Sequence, residues 1–110
     1  MLPPGFETIE KYVGYWDVPT TSERWERRAA ASMDEIRAFY DDMLAHADQA
    51  LDVIALHDIN AMPDDVATLA RLMLALMSAA VAIEVVGAPR DPYSPYPHSV
   101  RVLRGPSPWG

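Results

Sequence analysis

The stretch Val66-Ala-Thr-Leu-Ala-Arg-Leu-Met-Leu-Ala-Leu-Met-Ser-Ala-Ala-Val-Ala-Ile-Glu-Val-Val86 decides the fold class. Its strongly polar interruptions are Arg71, Ser78 and Glu84. A helix lying on a protein surface carries one apolar stripe, whereas a helix apolar nearly all round is covered on every side. Pro63 suits the first turn of such a helix, and Asp64 and Asp65 then complement the positive end of its dipole. Gly87 reads as the residue just past its end, and Pro89 prevents continuation. One helix over 63–87 follows.

Upstream, Asp58-Ile-Asn-Ala-Met-Pro63 reads as a turn. Before it, Trp25, Ala29, Met33, Ile36, Tyr40, Met43, Ala47, Leu51 and Ile54 recur at helical spacing, with no Gly or Pro between Thr20 and His57. Thr20, Thr21 and Ser22 are N-cap candidates. The unbroken apolar face favours one long helix over 21–57, about 54 Å at the standard rise. The rival is a break at Ser32, because Ser32-Met-Asp-Glu35 matches a capping box. A short turn between two helices makes an antiparallel hairpin. Its register sets Leu51 against Leu72, Met43 against Ala79 or Ala80, and Tyr40 against Ile83 or Glu84. In residues 1–20, Phe6, Ile9, Val13 and Trp16 form one face of a short helix. Residues 88–110 are rich in proline and read as an extended arm, with a short edge strand conceivable over 98–103.

The fold class is therefore all-α, in a single domain. On this reading the second helix leaves part of the long helix uncovered, and its small residues Ala75, Ser78, Ala79 and Ala82 let another backbone approach closely. A two-fold homodimer forming a four-helix bundle satisfies both.

Composition narrows the partners. The 110 residues carry a formal charge of -7 and no cysteine. An acidic chain repels nucleic acid and anionic membrane, so neither is expected. The absence of cysteine excludes a disulfide framework and thiolate metal sites, and it fits a reducing cytoplasm. Met1-Leu-Pro-Pro-Gly5 has neither a basic nor an apolar leader character, so no secretory signal is expected. The apolar helix is long enough to span a bilayer, but Arg71 and Glu84 are costly there.

Candidate sites are few. Glu84, with Tyr40 assisting, is the candidate acid or base, because burial favours the protonated form of a carboxyl; the structural alternatives are a bond from Tyr40 or Arg37, or exposure at the helix end. Met43, Met73, Met77, Phe39 and Trp25 are candidates for an adaptable apolar pocket, with ordinary core packing as the alternative. Trp25 also sits among Arg24, Arg27 and Arg28, a basic patch for an anion or a set of structural ion pairs. Glu35, Asp42, His46 and His57 share a flank but lack di-iron or zinc spacing, so no metal or cofactor is expected.

The segments Leu2-Pro-Pro-Gly-Phe-Glu-Thr-Ile-Glu10, Pro19-Thr-Thr-Ser-Glu-Arg24, Ser32-Met-Asp-Glu-Ile-Arg-Ala-Phe-Tyr40 and Ala82-Ile-Glu-Val-Val-Gly-Ala-Pro-Arg90 resemble, in kind and order, a group of short bacterial all-helical proteins of unassigned function. The resemblance implies a soluble protein associated with catabolism of apolar compounds, and it supplies no catalytic residues. The arm after Pro92 departs from the pattern in its Tyr and Pro content. The expectation is a non-enzymatic accessory or binding protein whose interhelical groove takes an apolar small molecule or a partner helix. The alternatives are a small isomerase or lyase using Glu84, and a regulatory protein-interaction module.

Overall fold

The structure, a computed structural model, describes residues 1–87. The arm at 88–110, including the strand considered over 98–103, lies outside the described residues. Within them the chain is helical, without a strand. A 3-10 turn over Glu7–Tyr12 leads into α1 (Val13–Trp16), followed by α2 (Thr21–Ala30), α3 (Met33–Ile54) and α4 (Asp64–Val81). The end of α4 widens into a π turn over Ala82–Val86.

The single long helix expected over 21–57 is instead two helices. Ala31 and Ser32 adopt extended backbone, with ψ of 154° and 161°. Ser32 Oγ accepts from the Glu35 amide at 3.1 Å, and Glu35 Oε1 accepts from the Ser32 amide at 3.0 Å. This reciprocal box satisfies donors that a new helix start would otherwise leave bare. Thr20 caps α2 in the same manner, its Oγ1 accepting from the Glu23 amide at 3.2 Å. At its other end α3 stops at Ile54, short of His57, and the connection is braced by an Asp58 carboxylate accepting from the Asn60 amide at 2.8 Å.

The break at Ser32 changes what covers α4. Released from a straight path, α2 packs against α4, as does α1. Two polar ties fix them there. Arg71 donates to Asp17 at 2.5 Å, and Arg28 donates to the Ser78 carbonyl at 3.3 Å. Ala75, Ala79 and Ala82 are buried within the chain itself, at 1%, 0% and 0% exposure. The Ser78 hydroxyl is also buried, with no hydrogen-bond partner among the described residues. The small-residue face assigned to a second copy is therefore filled from inside one chain. Small side chains do allow close helix approach at this face, and α1, α2 and α3 all pack on α4 within the one chain.

The core joins this layer to α3. Phe6, Ile9 and Trp16 come from the N-terminal segment, as their spacing predicts, and meet Ile36, Phe39 and Met43 of α3 and Leu69, Leu72 and Leu76 of α4. Trp16 stacks on Phe39 with ring centroids 4.4 Å apart, and Tyr12 meets the same ring edge-on at 5.2 Å. Such aromatic pairs add about 0.5–1.5 kcal/mol beyond the area they bury. Gly5 turns the chain into this cluster at φ 99°, a left-handed value that a side chain resists.

Asp64–Val85 is long and apolar enough to cross a membrane by length and composition, with a mean hydropathy of 2.0. Only 44% of that window is buried inside the molecule. One side of the helix is packed by α1, α2 and α3, and the other side stands open.

Candidate functional site

The open side of α4 lies beside the C-terminal half of α3. Met77 and Leu51 are 66% and 53% exposed, and Ile59 of the connecting loop is 54% exposed. These residues, with Ile54, Met62, Ala70, Met73 and Leu74, line a groove of about 410 Å³. Every lining side chain is apolar. Small-molecule sites typically span about 300–1,000 Å³ and are mostly apolar, so both size and lining match that class. The sequence dictates the groove directly. Ala70 places a small side chain opposite the larger Leu51 and Ile54, which leaves a trough. Ile59 and Met62, in the connecting loop, wall its end.

Among the residues singled out from sequence, Met73 and Met77 lie in this groove. Met43 and Phe39 do not: both have 0% exposure and belong to the core, where Phe39 carries the stack with Trp16. Trp25 is half-buried on α2 and lies outside the lining. Leu51, Ile54, Ile59, Met62, Ala70 and Leu74 escaped sequence reasoning as site residues. For Ile59 and Met62 an unused signal existed, a pair of bulky apolar residues in a connection read only as a turn.

Tyr40 and Glu84 do meet. Tyr40 Oη donates to Glu84 Oε2 at 3.1 Å, bringing the start of α3 to the end of α4. The π turn presents Glu84 there, closed by the Gly87 amide donating to the Ala82 carbonyl at 2.7 Å, with Gly87 left-handed at φ 73°. Desolvation raises the Tyr40 phenol above its usual range, and the bond to Glu84 adds to the shift. Glu84 is nevertheless exposed rather than buried, and it does not line the groove. The pocket of Met43, Met73, Met77 and Glu84 that an acid–base role requires is not assembled.

The other polar groups hold the N-terminal segment in place. Tyr12 donates to Asp42, and Lys11 lies 3.6 Å from the same carboxylate. Burial, followed by the bond and charge of Asp42, pushes the Tyr12 phenol up to about 12. His46 lies 3.0 Å from Thr8 Oγ1, while its other ring nitrogen lies 2.8 Å from the Asp42 carbonyl. Glu35 caps α3, and its hydrogen bonds with Ser32 hold its carboxyl below the usual range. No group of acids and histidines suited to a metal occurs among the described residues. The basic patch is likewise dispersed. Arg24 is buried and donates to Val18 and Thr21, Arg27 lies over the Tyr15 ring at 5.0 Å, and Arg28 reaches α4.

No protein-family model, no curated protein and no solved structure matches this chain.

Proposed function

We propose that this protein is a non-enzymatic binding protein that holds an apolar small molecule in the groove between α3 and α4. The observation that carries the reading is the groove's wholly apolar lining combined with its open, exposed walls at Leu51, Ile59 and Met77. An apolar trough left wet forgoes about 25 cal/mol for each Å² that a ligand would cover. Met62, Met73 and Met77 give the walls adaptable shape, which suits ligands of irregular outline. The architecture that goes with this reading is an antiparallel hairpin of α3 and α4, braced on one side by α1 and α2. The acidic chain without cysteine is at home in the cytoplasm.

Titration with Nile red, a neutral apolar dye, tests the proposal. The expected result is saturable binding at one site, weakened about tenfold by Met77→Lys, because a charge in the trough must be desolvated on ligand entry. Dye binding that is absent, or equal in the variant, contradicts it.

A further inference from the structure

We infer that the groove takes apolar molecules carrying a cationic end, such as long-chain amines, in preference to anionic amphiphiles such as fatty acids. The inference rests on the groove described under Proposed function and names the class of ligand it takes.

The walls do not make that choice, because every side chain lining the trough is apolar. Charge enters at the rim. Residues 38–70 contribute Leu51, Ile54, Ile59, Met62 and Ala70 to the lining, and they hold seven aspartates with no Lys or Arg. Asp48 stands between the exposed Leu44 and Leu51, four positions after the one and three before the other, and Leu51 is itself a wall. Side chains at such spacings are neighbours, with Cβ atoms about 5–6 Å apart. Asp52 follows one turn on, and Asp58 precedes Ile59 at the end wall. All three aspartates are exposed.

No cation among the described residues answers this rim. Lys11 lies 3.6 Å from Asp42, and Arg71, the one cation of α4, donates to Asp17 at 2.5 Å. Arg28 donates to the Ser78 carbonyl. Arg37 precedes Leu51 on α3 by about 21 Å at the helical rise. Asp48 and Asp52 form no ion pair among the described residues. Like charges one turn apart repel, and a cation beside them relieves that repulsion. The acids do not make the site; the trough does, and they set the sign of what it holds. An alkyl body covers Met73 and Met77 while its ammonium stays at the wet rim by Asp48, so no charge has to be buried. A carboxylate at the same rim meets the same field with the opposite sign.

The test compares decylammonium with decanoate, equal in chain length and opposite in charge, on the full chain near neutral pH. Each is kept below its micelle concentration, and the methyl shifts of Met73 and Met77 report binding. Decylammonium is expected to bind about tenfold tighter at low salt, and the gap should narrow as salt screens the rim. Asp48→Asn with Asp52→Asn should close the gap to about threefold or less. Glu26→Gln with Asp34→Asn removes the same charge at exposed positions outside the lining and should leave the gap near its full size. Equal affinity for the two amphiphiles, a gap indifferent to salt, or a gap that the two double variants change alike overturns the inference. Failure of the two readings is distinguishable. Saturable Nile red binding without a preference between the amphiphiles removes the charge selection and leaves the groove. No shift at Met73 and Met77 with the dye or with either amphiphile removes the groove, and the inference with it.

Discussion

At the scale of single residues, polar side chains decide which surfaces of the helices meet. Arg71 interrupts the most apolar stretch of the chain, and its partner is Asp17. The pair is mostly shielded, with side-chain exposures of 27% and 16%. Asp17→Ala is expected to cost about 1–3 kcal/mol, because the guanidinium loses its acceptor where water replaces it poorly; the shift of the urea midpoint measures it. No sequence pattern links these two residues, which lie 54 positions apart. The Tyr40–Glu84 bond was legible, because helical register alone brings the two together. Its exposure was one of the alternatives the helix end offered, whereas the π turn that presents Glu84 leaves no signature in the residues. Tyr12 offers a pH prediction. Its folded value of about 12 lies above the ordinary 10.0. A raised value stabilises the fold fully below the ordinary one and is lost as pH climbs from there through the folded value. The N-terminal segment should accordingly loosen between these limits. Ultraviolet titration of the phenolate should show a late midpoint that Asp42→Asn brings down.

At the scale of elements, the junction at Ser32 determines the arrangement. Its capping box was visible in four residues, yet the apolar periodicity running from Trp25 to Ile54 favoured an unbroken helix. Periodicity weighs poorly against a cap here, because each helix keeps its own apolar face across the two extended residues. Ser32→Ala is expected to lower stability by about 1 kcal/mol, read as a urea midpoint. Glu35 adds a dependence on acid. Its folded value is depressed, so its contribution is present above the unfolded carboxyl value and disappears as pH falls through the folded one. Helix content followed by circular dichroism should fall earlier in acid for the native chain than for Glu35→Gln, whose amide keeps the box without titrating.

At the scale of the whole molecule, α4 has two sides with different fates. The alanine side, which the sequence alone assigned to a dimer, is buried within the chain, where α1, α2 and α3 all pack on α4. The methionine side remains open and forms the groove with α3. The all-α class and the apolar N-terminal face were legible, because periodicity and caps report local structure. The identity of the covering layer was not, because it depends on one junction and on ties between residues far apart in sequence. Met77→Lys should leave stability within about 0.5 kcal/mol of the native chain, since the side chain is largely exposed. The most direct measurement of the central claim is methionine methyl chemical shifts during Nile red titration. The account predicts that Met62, Met73 and Met77 shift together and saturate, while Met33 stays unmoved. Shifts spread evenly over all six methionines, or none at the three groove positions, would contradict it.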